Sequence, residues 1–377
     1  MPQKKKPLDQ GAQQGTQKKR AKRPARNKPA SAHDVARVAG VSRSAVSRTF
    51  TEGASVAPAT RKRVLEAAKT LKYRPNLFAR SLITNRSNII GVAVSQLDNQ
   101  HYPAVVQMLS EELAKAGYRI LLFITRGSQG HDPVVDELLR YRLDALILAS
   151  SSLSSALAEE CRAAGVPVIM FNNVDTASDV ASVAGTNVLG ARTIAAYFAA
   201  AGHRRFGYIS GVEGDSTDQE RQAGFTSYLL EKGMTAPICV SGHFTFDGAL
   251  QATRTLLNRP KPPNAIFCVN DHTALAALQV ARTEFNLEPG KDISIVGFDN
   301  VSVAAWPCFS LTTYSQPTVL MVARTIELMR RALEHPESAV VHARVRGELI
   351  VRNSARVPRS GIVTKSDGTK IWQSEDD

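Results

Sequence analysis

The sequence predicts a small all-α head of the helix-turn-helix kind followed by an α/β body built on parallel sheets. Three observations carry that prediction. The excess positive charge is confined to the first quarter of the chain, a helix–glycine–helix pattern lies within that quarter, and from Asn88 apolar runs alternate with helical stretches. At 377 residues the chain exceeds what one hydrophobic core accommodates, and two or three domains are expected.

Residues 1–30 hold ten Lys/Arg against Asp9, and residues 31–86 hold eleven against Asp34, Glu52 and Glu66. Of a net +13, the first 86 residues therefore contribute +17 and the remainder −4. Such a split is expected where the first quarter meets a polyanion and the rest does not. Residues 1–30 are rich in Lys, Gln and Pro and almost without apolar side chains. They cannot bury enough surface to offset their ordering entropy and read as a disordered basic tail.

Residues 31–73 read as three helices. Ser31, with Asp34 three residues on, makes a variant capping box, and Val35, Ala36 and Ala39 give an apolar stripe. Gly40 supplies the backbone freedom of a tight reversal, and Ser42 caps a second helix over 43–50. In that helix Ala45 and Val46 turn inward, leaving Arg43, Ser44, Ser47 and Arg48 outward. A third helix over 58–71 begins with Pro58 and roofs the pair with Val64, Leu65, Ala68 and Leu71. This is the spacing at which a DNA-binding motif sends its second helix into the major groove. Residues 74–87 follow as a hinge: Pro75 breaks the third helix, and Asn76 caps a new one too short to be stable alone.

In the body, strands are expected at 89–95, 119–124, 145–149, 166–171, 206–210, 265–269, 293–296, 311–314 and 347–351, with helices between most of them. Open α/β sheets bind ligands beyond the carboxyl ends of their strands. Polar residues do follow strands directly, at Asp98-Asn99, Asn172-Asn173, Asn270-Asp271 and Asp299-Asn300.

The segments DVARVAGVSRSAVSRTF, TRKRVLEAAKTLKYRPNLFARSL and NIIGVAVS resemble the lactose/galactose repressor (LacI/GalR) family, as do AAGHRRFGYISG, ERQAGF, VNDHTALAAL, ISIVGFDN and LTTYSQP further on. The resemblance covers about residues 31–357 and leaves out only the two tails, 1–30 and the C-terminal 358–377. It implies a periplasmic-binding-protein-like body over 88–357, two lobes with a small effector between them, which also carries dimerisation. It implies too that the hinge folds on DNA beside its copy from a second subunit, with Leu82 wedged into the minor groove.

The resemblance gives base reading to Arg43 and Ser44. A bidentate contact from Arg43 to guanine is worth about 1–3 kcal/mol of discrimination. Arg48 is placed for either a base or a phosphate, and Ser42 and Ser47 for phosphate contact or capping. Asn76, Arg80 and Leu82 complete the expected DNA-binding set. For the effector, Arg221 matches the family's contacting arginine ahead of AGF, and Asn270 and Asp299 match its hydrogen-bonding polar positions. A guanidinium facing a carboxylate and an amide suits a hydroxylated ring, so with Asn172 and Asn173 these residues favour a sugar or sugar acid. His101, Tyr102, Phe171 and either Phe244 or Phe246 are expected as walls. Asp271 reads as a cap of the following helix.

No nucleophile elbow, dinucleotide fingerprint, phosphate loop or metal-ligand spacing is found, so neither enzyme activity nor a cofactor or metal is expected. Cys161, Cys239, Cys268 and Cys308 are widely spaced and read as reduced, buried thiols of a cytoplasmic, nucleoid-associated protein. No apolar stretch reaches the roughly 20 residues of a membrane span, and none follows the basic residues as a secretory signal would. The basic head and the missing signal disfavour a periplasmic-type solute-binding protein. The expected partners are double-stranded DNA with a pseudo-palindromic operator, a carbohydrate effector and a second copy of the chain. Without leucine heptads, the C-terminal tail offers no coiled coil for a tetramer.

Overall fold

The computed structural model describes residues 30–51, 53–74, 86–95, 97–125, 138, 140–149, 155–173 and 179–374. The expectations for the basic tail and for Asn76, Arg80 and Leu82 lie outside these residues. The chain divides into two compact units between residues 80 and 81.

The first unit is the three-helix head, with α1 at Ala32–Ala39, α2 at Arg43–Thr49 and α3 at Pro58–Thr70. The capping box forms as expected: Ser31 Oγ accepts from Asp34 N (3.3 Å) and Asp34 Oδ2 accepts from Ser31 N (2.9 Å). A cap of this kind stabilises a helix by about 1 kcal/mol. Gly40 takes the left-handed conformation (φ 63°) and its N–H closes the last turn of α1. Ser42 Oγ caps α2 by accepting from Ala45 N (3.2 Å). The core consists of Val35, Ala36, Ala39, Val46, Val64, Ala67 and Ala68, ringed by Phe50, Leu71 and Tyr73. The sequence pattern puts Leu65 in this roof, but it is 46% exposed, and Ala67 takes its place. The inward face of α3 follows residues 64, 67, 68 and 71, the i, i+3, i+4, i+7 series of a helix, and Leu65 lies about 100° off it.

The second unit contains two lobes. Lobe 1 carries β1 (Ile89–Val94), α4 (His101–Lys115), β2 (Arg119–Ile124), β3 (Ala145–Ala149), α5 (Ser155–Ala163), β4 (Val168–Phe171) and β5 (Ala181–Gly185). Lobe 2 carries α6 (Asn187–Ala200), β6 (Phe206–Ser210), α7 (Ser216–Glu231), β7 (Ile238–Ser241), α8 (Phe246–Leu257), β8 (Ala265–Cys268), α9 (Asp271–Thr283), β9 (Ser294–Asp299) and β10 (Thr312–Ser315). The chain then returns to lobe 1 for α10 (Thr318–Glu334) and β11 (His342–Val345). It ends in lobe 2 with β12 (Leu349–Ile350), β13 (Ile362–Thr364) and β14 (Lys370–Trp372).

The lobe 1 sheet, ordered β11-β5-β4-β3-β1-β2, is parallel throughout. Its inner strand β3 reads ALILA and is buried at every position, as a parallel strand covered on both faces requires. The lobe 2 sheet runs β13-β14-β12-β10-β9-β8-β6-β7, parallel from β7 to β10 and antiparallel beyond. Helices α6 and α7 pack on one face of it and α8 and α9 on the other. Parallel pairing throughout lobe 1, and from β7 to β10 in lobe 2, brings the carboxyl ends of those strands to one side of each sheet.

Five strands exceed the sequence expectation: β5, β7, β11, β13 and β14. They are short, and polar residues such as Ser182, His342 and Lys370 dilute their apolar signal. The last two lie in the expected C-terminal tail, which is here paired into the sheet. Trp372 is buried there, edge-on to Tyr197 at 5.6 Å, and its Nε1 donates to Ser360 O (3.0 Å). Of the four free cysteines, Cys161 and Cys268 are buried as expected, whereas Cys239 and Cys308 are exposed.

Candidate functional site

On the head, the side chains of Ser42, Arg43, Ser44, Ser47 and Arg48 are all exposed on α2 and its cap, while Val46 and Thr49 face the core. Ser42 is engaged in capping and also shares a hydrogen bond with Ser44 Oγ (2.8 Å). Among the described residues, Arg43 and Arg48 make no side-chain hydrogen bond or ion pair. Two guanidinium groups five residues apart on α2 are thus presented to solvent. Arg61 plays a different part, donating to Thr49 O (3.0 Å) and Ala54 O (3.3 Å) to close the carboxyl end of α2. No local sequence signal marks Arg61 for that task.

In the body, a cavity between the lobes is lined by Asn99, His101, Tyr102, Asn172, Thr217, Arg221, Phe244, Asn270 and Asp299. Seven of the nine expected effector positions converge on it, Asn172 among them. Two lie elsewhere. Phe171 is the last residue of β4 and is buried in the lobe 1 core. Asn173 accepts a hydrogen bond from Ser216 Oγ (2.6 Å) and so joins the lobes rather than lining the cavity. Asn99 and Thr217 take up positions on the wall instead.

Arg221 dominates the cavity electrostatically. It projects from α7, is 2% exposed, and lies with its guanidinium carbon 3.6 Å from the centre of the Phe298 ring. Its Nε donates to Asn187 Oδ1 (3.0 Å), its Nη1 donates to Val269 O (2.5 Å), and its Nη2 approaches Asp299 Oδ1 at 3.6 Å. Asp299 also accepts from Gln316 Nε2 (2.9 Å) and holds φ at 119°, a strained value for a residue with a side chain. Backbone strain of this kind costs about 1–3 kcal/mol and gathers at functional sites. His101 is buried and, among the described residues, has no hydrogen-bond partner at Nε2. Burial lowers its pKa, with Asp299 opposing and Arg221 reinforcing the shift.

Phe244 lines the cavity, its ring packed where a side chain on Gly211 would stand. Phe246 opens α8 and packs edge-on to His272 at 5.7 Å. Asn270, rather than Asp271, caps α9, with Oδ1 accepting from Thr273 N (2.9 Å); only its amide NH2 remains to donate into the cavity. Asp271 turns away beneath it, accepting from Thr313 Oγ1 (2.6 Å) and Val301 N (2.8 Å). Burial, and next the charge of Asp299, push the Asp271 carboxyl well above the usual carboxylate range.

The cavity has a volume of about 20 Å³, room for one water molecule. Bonds between the lobes close it: Thr217 Oγ1 donates to Asn172 O (3.0 Å) beside the Ser216–Asn173 bond, and Glu220 pairs with Arg344. A molecule the size of a sugar therefore enters only when the lobes part or Arg221 and Phe244 move. The larger hollows on this unit, about 430 and 560 Å³, lie around Arg162, Val168 and Arg331 and around Arg86, Tyr141 and Arg142. None of the expected effector residues borders either.

A helix-turn-helix unit and a two-lobed α/β body together define a class of DNA-binding regulators. Residues 31–76 match the model for bacterial regulatory proteins of the lacI family, and residues 195–355 match the periplasmic binding protein-like domain. The transcriptional regulator CelR of Thermobifida fusca is 31% identical over 330 residues, covering 85% of this chain and 96% of that protein. The transcriptional repressor PurR of Photobacterium profundum is 28% identical, covering 86% and 98%. Among solved structures, the lac repressor dimer bound to operator and the anti-inducer ONPF superposes with a TM-score of 0.78 at 26% identity, covering 88% of this chain and all of that one. A CelR–cellobiose complex gives 0.65 at 28% identity, covering 86% and 100%. The chain belongs to the lacI family of bacterial regulatory proteins and is a DNA-binding regulator of transcription. No helix among the described residues is long and apolar enough to cross a membrane.

Proposed function

We propose that the protein is a cytoplasmic, dimeric repressor whose grip on a pseudo-palindromic operator is set by a sugar or sugar acid bound between the lobes. The observation that carries this reading is the buried Arg221–Asp299 pair, ringed by His101, Tyr102, Phe244 and Asn270 in one cavity. A guanidinium, a carboxylate and an amide offer fixed donors and acceptors to ring hydroxyls, and Phe244 and Tyr102 offer apolar faces. The relatives add support: cellobiose and ribose are bound in similar solved structures, one of them a CelR, and a ribose operon repressor is among the similar proteins.

Arg43 and Ser44 read bases in this proposal, Arg48 reaches a base or a phosphate, Ser42 and Ser47 serve in phosphate contact or capping, and Asn76, Arg80 and Leu82 of the hinge segment complete the grip. Effector and operator affinities are then coupled reciprocally, by about 1–3 kcal/mol in proteins of this behaviour. A thermal-shift screen of sugars, sugar acids and nucleobases tests the effector class. A hydroxylated ligand should raise the melting temperature of the wild-type protein and not of Asp299→Asn; stabilisation by nucleobases alone would overturn the carbohydrate reading.

A further inference from the structure

The chain passes between the lobes three times, at residue 186, at residues 316–317 and at residues 346–348. A single series of polar side chains connects all three passages to the cavity. Gln316, in the second, donates to Asp299, and Asp299 faces Arg221. Arg221 donates from Nε to Asn187, which follows the first passage directly. Asn187 Nδ2 donates in turn to Glu220 Oε2 (2.8 Å). Glu220 receives both ends of the Arg344 guanidinium, one at 2.8 Å, and Arg344 lies on β11 just before the third passage. Arg344 Nη1 also reaches Gly185 O (3.3 Å), at the end of β5.

Asn187 gives this series a direction. It is 2% exposed, its oxygen is claimed by a cationic donor and its NH2 by an anionic acceptor. Only one orientation of the amide satisfies both, because turning it over would set donor against donor and acceptor against acceptor. Glu220 therefore fixes Asn187, and Asn187 fixes the Nε edge of Arg221. Among the described residues Arg221 Nη2 has no hydrogen-bond partner within 3.5 Å, so this edge, the Val269 carbonyl and the Phe298 ring, together with the Asp299 charge at 3.6 Å, determine where the guanidinium sits. The Glu220–Arg344 pair spans the lobes and is only about one-third exposed on either side, where its attraction is screened less than at an open surface.

We propose that Asn187, Glu220 and Arg344 are positioning residues that hold Arg221 in the cavity and transmit its displacement to the passages between the lobes. The proposal rests on reading Arg221 as the effector's anchor. Its mechanical part is tested without any ligand, on the full-length protein, through the Nε–H resonance of Arg221, assigned by its loss in Arg221→Lys. Glu220→Leu removes the acceptor that orients Asn187 and should move this resonance and speed its solvent exchange at least about tenfold, the equivalent of one hydrogen bond to a charged group. Glu220→Gln keeps an acceptor oxygen and should stay within about twofold of wild type. Arg344→Gln, on the other lobe, should shift the same resonance and offers a second route if the leucine variant folds poorly. Equal effects of leucine and glutamine, or an unmoved resonance in folded Glu220→Leu and Arg344→Gln, would overturn the relay. A sugar screen without a hit on the wild-type protein breaks the effector reading alone and leaves the resonance result standing.

Discussion

Arginine is deployed in opposite ways in the head and in the body. On α2, Arg43 and Arg48 stand in solvent, with no ion pair or side-chain hydrogen bond among the described residues. In the cavity, Arg221 is almost wholly enclosed, stacked on Phe298 and bonded to Asn187 and Val269 beside Asp299. The contrast fits the two tasks proposed for these residues. A group that must find a polyanion does best hydrated and uncommitted, since affinity there comes largely from displacing counterions. A group that must tell one small polar molecule from another does best dry and preorganised, where each unmatched hydrogen bond is costly.

The largest expected consequence of this difference is in stability. Arg221→Ala leaves Asp299 buried without its cation and should destabilise the body by about 3–5 kcal/mol. Arg43→Ala should change stability by no more than about 0.5 kcal/mol. Urea unfolding of the two variants checks the contrast, and equal losses would break it. A second consequence is a pH dependence of the body through a buried histidine. His203 is enclosed against Ser294 Oγ (2.8 Å), and burial pushes its imidazole from 6.5 down to about 4. Between those values the unfolded chain takes up a proton that the folded one resists, so stability should fall as pH drops from 6.5 toward 4. His203→Gln should flatten the fall in melting temperature over that range; an unchanged slope would point to other groups.

A smaller effect sharpens the head. Arg43→Ala should lose about 1–3 kcal/mol of discrimination at one position in each half-site, read as a relaxed base in a selected binding-site profile. The smallest concerns residues 1–30, whose removal should flatten the salt dependence of DNA binding while leaving the preferred sequence intact. A changed sequence preference would extend the reading surface beyond α2.

Where a residue acts through its neighbours in sequence, its role is legible. Ser31 with Asp34, Gly40 and Ser42 each mark a helix end by local chemistry, and all three stand where expected. The cavity is legible where polar residues end strands, hence Asn270 and Asp299, and through the ERQAGF segment, hence Arg221. Legibility ends where roles depend on residues far apart in the chain. Asn187 and Gln316 carry no local mark, because what sets them apart is a partner 34 or 17 positions away. Phe171 departs from expectation because the alternation of a four-residue strand does not say which face meets the cavity. Strand β14 escapes the sequence pattern because its pairing partners β12 and β13 are themselves only two and three residues long.

The proposed coupling between cavity and operator is tested most directly by one titration. Operator affinity of the full-length protein is measured with and without the hydroxylated ligand that stabilises it most, and ligand affinity is measured with and without operator. Both affinities should change by the same factor, about 5–150-fold. A ligand that binds between the lobes and leaves operator affinity unchanged would contradict it.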